Sequence, residues 1–520
     1  MVLRSPPLAS TDSFVTMLQR PVSLAAMLDS PTSYLPHLVT AFVVWACLFA
    51  VNRVVYNLFF HPLRRFPGPI LCRATNLWRV SKVFSGDLAL HVRRLHDEYG
   101  PVVRIAPHEL AFIESQAWKD IYGHHNTFEM SKDDSFYRPM GRRIPDAVIT
   151  ADRERHGVIR RQLSHGFSDR SMRDQEPIFR EYVDLLIRRL DELAGGDKPL
   201  DMRAWFNYTT FDVIGNLAFG SDFGCLENSR YHPWVEAITS NLKDNTLIRG
   251  YVQFIPGSLI FRLFRLGIFK GRTAHMAYTK NKLRDRMELT TERPDFMEGL
   301  IKKRGLLTLE ELELNAALLV VAGSETTATL LCGTFYLLGQ HPDVLDKVVR
   351  EVRSSFERED QIDLISVNGL SYMLATLNET FRLYPPVPIG LPRIVPKGGG
   401  NIAGHWIPQD TAVSVWQLAA NYSSRNFTKP QGFHPERFLG DPEFSKDDLS
   451  VVQPFSVGPR NCIGRNLAYA EMRLILARIL FRFDIKPAPG AEDWLRNQKI
   501  YSIWQKPELP FYLTAAVKTN

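Results

Sequence analysis

Residues 454–472 read "PFSVGPRNCIGRNLAYAEM" and contain one cysteine, Cys462, set between glycines and close to a basic residue. Gly458 and Gly464 let the backbone turn tightly and lie close against a flat partner. The apolar run at 467–481 has helical periodicity, so the sulfur of Cys462 is predicted to lie at a helix N-terminus. Backbone N–H groups and the helix dipole favour a thiolate there. Because no catalytic partner lies nearby in the sequence, the pattern predicts a cysteine that binds a metal.

The other cysteines predict no second site of this kind. The five cysteines of the chain are Cys47, Cys72, Cys225, Cys332 and Cys462. None forms a CxxC pair, and their odd, sparse count argues against a disulfide framework. Cys47 and Cys332 lie in apolar runs, where a small buried hydrophobic residue is the ordinary interpretation. Cys462 does not fit that interpretation.

Size and charge limit the classes of function. The chain has 520 residues, 45% of them apolar. It exceeds the roughly 250–300 residues of a usual single core, so one large domain and two domains both remain open. The formal net charge of +7 suits a membrane surface or an acidic protein partner. Lys and Arg are dispersed along the chain, without recognition-helix or zinc-finger spacing, so we expect no nucleic-acid partner.

The N-terminal part contains a membrane-anchor pattern. Residues 34–51, "YLPHLVTAFVVWACLFAV", have no acidic or basic side chain apart from His37, and a spanning helix needs about 20 mostly apolar residues. Arg53, Arg64 and Arg65 follow the run, which favours a cytoplasmic body. A cleaved signal peptide and a buried core helix are the alternatives. The expected division is a luminal segment at 1–33, a transmembrane anchor at 34–53, a Pro/Gly hinge at 54–70 and a catalytic domain at 71–520.

The body is predicted to be mainly α with small β-sheets. Residues 102–113, "VVRIAPHELAFI", have two short apolar runs around a proline and predict a hairpin. Weaker strand patterns occur at 392–395, 401–407 and 412–416. Elsewhere apolar residues recur three and four apart, as at 179–195, and predict helices.

One long helix is predicted to cross the core. Thr308 and Glu311 have capping-box spacing, and the apolar pattern runs from there to Gly339, ahead of a proline. Its middle reads "AGSETT" at 322–327, where threonine hydroxyls can compete for backbone carbonyls and open a polar notch. Glu325 is costly in such a buried position unless it has a partner or a role.

Four segments together resemble one family. The loop "FSVGPRNCIG" at 455–464 resembles the heme-binding loop of the cytochrome P450 family. "ETFR" at 379–382 and "FHPERF" at 433–438 are similar to that family's Glu-x-x-Arg motif and its later arginine. "AGSET" at 322–326 is similar to its oxygen-binding groove. The four segments occur in the family's order, and the resemblance extends from residue 66 to the C-terminus.

This resemblance implies roles for individual residues. Cys462 would ligate the heme iron, within a loop that includes Phe455, Gly458, Arg460 and Gly464. Ala322 and Gly323 would leave space above the iron, Thr326 would donate a hydrogen bond on the oxygen-binding side, and Glu325 would supply protons from solvent. Glu379, Arg382 and Arg437 would form a buried network near the loop. Arg160, Arg393 and Arg460 would meet the heme propionates, as would His156, where many members have Trp; each arginine could instead be a surface cation.

The implied function is a heme-thiolate monooxygenase that inserts one oxygen atom from O2 into a hydrophobic small molecule, by hydroxylation or epoxidation. Its cofactor would be heme b, with electrons from NADPH through an NADPH-cytochrome reductase and, as a further partner, cytochrome b5. Similarity of "YGPVVRIAP", "FDVIGNLAFG" and "IYGHH" to fungal members implies secondary metabolism, in a single-pass protein of the endoplasmic reticulum membrane with a cytoplasmic catalytic domain. An O2-independent isomerase or dehydratase and a non-catalytic anchored heme-binding protein are the alternatives.

The substrate pocket is expected above the heme. The segments expected to line it are residues 136–149, the central helix near 320–321, residues 387–391 and residues 501–504. Apart from the first, these segments are apolar with few charges, which favours a hydrophobic substrate such as a polyketide, terpenoid or modified-peptide intermediate.

Overall fold

The computed structural model describes residues 31–124, 129–139, 141, 144–255, 258–259, 262, 270–288, 295–302, 305–496 and 498–516. These residues form two compact units, which divide between His61 and Pro62. The first contains one long apolar helix, and the second contains the strands and the other helices of the described residues.

The first unit is helix α1 (Pro31–Val55), which continues as a π-helical turn over Tyr56–Phe60. Its apolar side chains are largely exposed; Phe42, for example, is 65% exposed. Leu35–Phe60 is long and apolar enough to cross a membrane. A helix that is apolar on all sides and unburied is typical of a membrane span, so α1 is a candidate membrane anchor. Residues 54–60 of the expected hinge are helical rather than extended.

The second unit is mainly helical, as predicted. Its helices are α2 (Ile70–Ala74), α3 (Leu77–Ser85), α4 (Leu88–Tyr99), α5 (Ser115–Tyr122), α6 (Asp134–Tyr137), α7 (Arg153–Leu163), α8 (Asp169–Asp174), α9 (Glu176–Leu193), α10 (Met202–Phe219), α11 (Cys225–Asn228), α12 (Pro233–Tyr251), α13 (Lys270–Glu288), α14 (Glu298–Lys302), α15 (Leu309–Gln340), α16 (Pro342–Ser355), α17 (Ser371–Leu383), α18 (Gln417–Asn421) and α19 (Arg465–Arg482). The predicted helix at 179–195 corresponds to α9.

The strands form small sheets. They are β1 (Val102–Ala106), β2 (Glu109–Phe112), β3 (Ser131–Lys132), β4 (Leu200–Asp201), β5 (Arg393–Ile394), β6 (Gly400–Ile402), β7 (His405–Ile407), β8 (Ala412–Val415), β9 (Phe483–Pro487), β10 (Lys499–Tyr501), β11 (Ile503–Gln505) and β12 (Pro510–Ala515). The largest sheet has the order β1-β2-β8-β5-β3, and a second has the order β4-β12-β9. The pairs β6–β7 and β10–β11 form separate hairpins.

The predicted hairpin at 102–113 is confirmed. Strands β1 and β2 pair antiparallel, with Val102 opposite Phe112, and both are fully buried. The pattern at 401–407 forms two strands rather than one. The chain reverses there because Ala403 and Gly404 both adopt positive φ, as a two-residue hairpin turn requires.

Helix α15 is the long core helix that the sequence predicts. Thr308 accepts a hydrogen bond from the Glu311 backbone at 3.2 Å, and the Glu311 carboxylate accepts one from the Thr308 backbone at 2.8 Å. This capping box starts the helix, and Pro342 follows its end. Most of its side chains are buried, so although its length and composition would also suit a membrane span, α15 is a core helix.

Candidate active site

The Cys462 loop is closed by its own backbone and lies against α5. The N–H of Cys462 donates to the carbonyl of Phe455 at 2.8 Å. Gly458 has φ of +75°, and a Cβ atom there would lie 1.9 Å from the carbonyl oxygen of Tyr122. This glycine is therefore required by the close approach of the loop to the end of α5.

The Cys462 thiol is accessible within the loop, although protein atoms surround it. Burial raises the pKa of this thiol, while the Gly464 N–H and the charge of Arg160 act in the opposite direction. A bound metal cation would displace the proton, because thiolate ligation and deprotonation are coupled.

The middle of α15 presents one accessible face. Ala322 is exposed, and Val321, Gly323 and Thr326 are partly exposed, in a helix that is otherwise mostly buried. A Cβ atom on Gly323 would lie 2.5 Å from Cδ1 of Ile214, so glycine here also allows α10 to pack closely.

A hydrogen bond joins α15 to the helix that follows the Cys462 loop. Thr327 bonds to the carboxyl group of Glu471. Glu471 lies six residues after the start of α19 at Arg465, a distance of about 9 Å along the helix axis. Helix α15 therefore packs against the helix that begins directly after the Cys462 loop.

The notch residues have defined partners. The Thr326 hydroxyl donates to the carbonyl of Ala322 at 2.7 Å, and that of Ser324 donates to Val320 at 2.6 Å. Thr326 therefore competes for a backbone carbonyl, as its position in the "AGSETT" motif predicts.

Glu325 does not face open solvent. Its Oε2 atom accepts a hydrogen bond from Nζ of Lys506 at 2.8 Å, and both side chains are only 4% exposed. Lys506 also donates to Thr329 at 2.7 Å. Among the described residues, Oε1 of Glu325 has no hydrogen-bond partner. Lys506 therefore supplies the partner that a carboxylate in this buried position requires.

Several arginine side chains lie near the Cys462 loop. Arg160 donates to the carbonyl of Asn461 at 2.7 Å, which ties α7 to the loop. Arg460 donates to the carbonyl of Ala151 at 2.9 Å and pairs with Glu129. The Nη1 atom of Arg393 is buried without an acceptor among the described residues.

The charges of this cluster repel one another. Burial, followed by the charges of Arg393 and Arg460, lowers the pKa of Lys132 to about 6. Burial and then the neighbouring cations, Arg460 first, lower the pKa of His156 to about 3. Glu129 is the one carboxylate that opposes these shifts among the described residues. A donor set with this excess of positive charge fits a dianionic group, such as the two propionates of heme.

A buried ion-pair network lies next to the Cys462 loop. Arg382 donates to Glu379 through Nε at 2.8 Å and through Nη2 at 2.7 Å, and both side chains are fully buried. Arg437 lies 3.4 Å from Glu379 and also pairs with Asp447. The structure therefore brings Glu379, Arg382 and Arg437 together. The ring of Phe381 lies 5.2 Å from that of Phe455, which connects α17 to the Cys462 loop.

Comparison with known proteins identifies the family. The family model described as cytochrome P450 matches residues 65–514. The chain belongs to the cytochrome P450 family. It is 47% identical to cytochrome P450 monooxygenase tpeC of Talaromyces stipitatus, over 91% of this chain and 94% of that protein. It is 44% identical to trichothecene C-15 hydroxylase of Fusarium sporotrichioides, over 88% and 94%, and 43% identical to averantin hydroxylase of Dothistroma septosporum, over 89% and 88%.

This P450 is accordingly an oxidoreductase of the monooxygenase type, related to fungal enzymes of secondary metabolism. The family implies heme-thiolate iron, O2 and a reductant, and also a redox partner and a hydrophobic substrate. The relatives named as monooxygenases and hydroxylases favour oxygen insertion over the isomerase and non-catalytic alternatives.

Four residues of this P450 site were not anticipated from the sequence. They are Lys132, Asp447, Glu471 and Lys506. The burial of Glu471 could have been predicted from helical spacing, because it lies four residues after Leu467 and three before Leu474 on the buried face of α19. The other three have long-range partners, which periodicity does not reveal.

Proposed function

We propose that Cys462 ligates the iron of heme b and that this P450 inserts one oxygen atom from O2 into a hydrophobic small molecule in fungal secondary metabolism. The observation that carries the proposal is an accessible thiol in a loop that is bonded by Arg160 and directly precedes a helix, α19, that packs against the core helix α15. When bound through a thiolate, the heme supplies O2 activation, because thiolate ligation favours O–O cleavage.

The cation cluster would hold the heme propionates. Arg160, Arg393 and Arg460 are the cations. Lys132 and His156, whose pKa values are lowered to about 6 and about 3, are neighbours that are mostly neutral at pH 7. The unpartnered Nη1 atom of Arg393 supports this role, since a buried guanidinium nitrogen without an acceptor is unfavourable. Binding of two carboxylates would offset the charges of Arg393 and Arg460, which act after burial in lowering the pKa of Lys132.

The hydroxyl of Thr326 and the carboxylate of Glu325 would deliver protons. One oxygen atom enters the substrate and the other leaves as water, which uses two electrons from NADPH and two protons. Thr326 lies on the accessible face of α15 and donates at Oγ1, while Glu325 is the neighbouring acid. Lys506 would act as a positioning residue, because its bond to Oε2 holds the acid in place and leaves Oε1 without a partner.

Electrons would come from an NADPH-cytochrome reductase, with cytochrome b5 as a further partner. A groove of about 750 Å3 lies beside the start of α19. Its lining includes Arg173, Arg465, Arg473 and the exposed Ile365. A basic groove with an apolar residue suits the acidic surface of an electron-transfer partner.

The protein would be a single-pass protein of the endoplasmic reticulum membrane with its catalytic domain in the cytoplasm. The exposed apolar surface of α1 supports the anchor, and Arg53 at its end supports the orientation. The proposed division keeps residues 1–33 in the lumen, 34–53 in the membrane, 54–70 as a connection and 71–520 as the catalytic domain.

Isotope incorporation tests the proposed reaction. Full-length holoprotein is reconstituted with reductase, NADPH and 18O2, and a library of polyketides and terpenoids is screened first by heme spectral shift and then by mass spectrometry. We expect one labelled oxygen atom in the product. Thr326→Ala should keep heme and divert electrons to hydrogen peroxide, whereas Thr326→Ser should stay near wild type because it keeps the hydroxyl. Unlabelled product, or unchanged coupling in Thr326→Ala, would contradict the proposal.

A further inference from the structure

A small cavity is lined by segments that are expected to form walls of the substrate pocket. Its volume is about 50 Å3, enough for a few water molecules or one carboxylate group, since a water requires roughly 10–15 Å3 by this measure. Phe136, Ile389, Gly390 and Ser502 line it, and all four lie in segments that the sequence predicts as walls of the substrate pocket. Arg249 of α12 closes one side.

Arg249 reaches this cavity, and no acidic side chain of the described residues pairs with it. Its Nη1 atom donates to Oγ of Ser502 at 2.7 Å, and the ring of Phe136 lies 4.0 Å from its guanidinium carbon. No carboxylate of the described residues forms an ion pair with it, and its Nε atom is buried without an acceptor. Burial lowers the pKa of Arg249 to about 10, so the guanidinium remains charged at neutral pH.

Other arginines of this chain show what the open edge of Arg249 can bind. Arg382 holds Glu379 with Nε and Nη2, the two donors on one edge of the guanidinium. Arg155 holds Glu311 with the same two atoms. In Arg249 this edge has no acceptor among the described residues. Its geometry matches a carboxylate in a bidentate pair.

A second unused donor lies in the same cavity wall. The indole N–H of Trp416 has no acceptor among the described residues, although Trp416 is only 3% exposed. A Cβ atom at Gly390 would lie 2.8 Å from this nitrogen and 2.4 Å from Oγ of Ser414. The Ser414 hydroxyl also has no partner among the described residues. Glycine is therefore required at 390 because these polar atoms pack directly against its backbone. The nearby Arg79 differs, because its charge is offset by Glu109 at 2.6 Å.

We propose that Arg249 binds a carboxylate of the substrate through its Nε and Nη2 atoms, with the indole N–H of Trp416 as a further donor. This inference rests on the proposed monooxygenase function and narrows its substrate class to hydrophobic carboxylic acids. Apolar side chains in the same wall, Val83, Leu88 and Ile500, would contact the carbon skeleton. The acid group anchors the substrate at this cavity while another part of the skeleton reaches the heme.

Matched ligand pairs test this proposal. Hydrophobic carboxylic acids and their methyl esters, with aromatic, terpenoid and fatty-chain skeletons, are titrated into the full-length holoprotein, and Kd is read from the heme spectral shift. The wild type should bind the acids roughly 10- to 100-fold more tightly than the esters, since a bidentate charged pair is lost in the ester. Arg249→Leu should abolish this ratio without weakening ester binding, and Trp416→Phe should reduce it several-fold.

The controls separate this proposal from the proposed function. Arg496→Leu removes an arginine that is 85% exposed and should keep the wild-type ratio, and Arg249→Lys should keep part of it. The carboxylate site would be overturned if the esters bound to the wild type as tightly as the acids, or if the acid-to-ester affinity ratio persisted in Arg249→Leu. It would also be overturned if the wild type bound none of the acids. The proposed function would remain intact in these cases, because its failure would appear as a missing thiolate spectrum in the wild type.

Discussion

The Nζ atom of Lys506 lies 2.8 Å from Oε2 of Glu325, and the two residues are 181 positions apart in the chain. Lys506 directly follows β11, whereas Glu325 lies in the middle of α15. The pair connects the C-terminal hairpin to the acid beside Thr326. Any movement of this hairpin would therefore alter the position of the acid that is proposed to deliver protons.

Lys506→Met should be strongly destabilising, because it leaves a buried carboxylate without its cation. The expected loss in free energy of unfolding is about 3–5 kcal/mol. The double variant Lys506→Met with Glu325→Gln should recover much of that loss, since neither charge then remains. Denaturant unfolding of the four proteins of this cycle measures the coupling. Coupling below about 0.5 kcal/mol would argue against a direct interaction.

Lys506→Met should also change the fraction of NADPH electrons that reaches the product. If Lys506 positions Glu325, the Lys506→Met protein should release a larger fraction of its NADPH electrons as hydrogen peroxide, whereas a purely structural role would lower stability alone. Lys506→Arg, which keeps the charge, is the matched control. Peroxide yield per NADPH, measured with reductase, distinguishes the two roles.

Arg382→Ala should disrupt the network below the Cys462 loop. Arg382 also donates to the carbonyls of Asn421, Pro430 and Gly432, so its removal leaves several buried groups unsatisfied. We expect a loss of about 3–5 kcal/mol in unfolding free energy and impaired heme retention. The control is Arg358→Ala, whose ion pair with Asp360 is about two-thirds exposed and should contribute little to stability because solvent screens it. Equal effects of the two variants would contradict the proposed importance of the network.

Glu471 predicts a pH dependence of stability. Burial raises the pKa of Glu471 to about 8, although its bond to Thr327 acts in the opposite direction. Between the usual carboxyl pKa of about 4.3 and about 8, the folded protein holds a proton that the unfolded chain has lost. This group therefore lowers stability as the pH rises through that range, by up to about 1.4 kcal/mol per pH unit.

Glu471→Gln should remove that slope and still allow a bond to Thr327. The variant should gain stability relative to wild type between pH 5.5 and pH 7.5, measured as the difference in unfolding free energy. The unfolding free energy of Glu357→Gln, at an exposed position, should have the same pH dependence as that of wild type. A Glu471→Gln profile that also runs parallel to wild type would show that this carboxyl group titrates normally.

Deletion of residues 1–61 should release the second unit from membranes. The chain divides into compact units after His61, and α1 is exposed and apolar. We expect the shortened protein in the soluble fraction after ultracentrifugation, with its heme retained. Deletion of residues 1–30 alone keeps α1 and should leave the protein in the membrane pellet. A chain without residues 1–61 that still sediments in high salt would indicate a second membrane contact.

Features that depend on neighbouring residues could be predicted from the sequence. The capping box of Thr308 and Glu311 and the hairpin at 102–113 need only local spacing, and both are present. The strand pattern at 401–407 was less well predicted, because apolar composition does not show the turn that Ala403 and Gly404 form. The structure also continues α1 as helix over residues 54–60, beyond the predicted anchor at 34–53.

Long-range partners limited the prediction of the site. The structure brings together Glu379, Arg382 and Arg437, which the resemblance groups. It adds Asp447, which lies outside every motif that suggested the network. The sequence predicts that a buried Glu325 needs a partner or a role, but it does not identify Lys506, which the hairpin of β10 and β11 brings to it. The thiolate expectation for Cys462 considered the helix terminus but not burial, which raises the pKa of the thiol.

The absorption spectrum of the reduced, CO-bound holoprotein tests the central claim, that the sulfur of Cys462 binds the heme iron. The wild type should show the red-shifted Soret band of a thiolate-ligated heme, and Cys462→Ser should lose that band, whereas Cys332→Ser, at a buried cysteine in α15, should keep it. A red-shifted band that persists in Cys462→Ser, or that is missing from the heme-loaded wild type, would contradict the account.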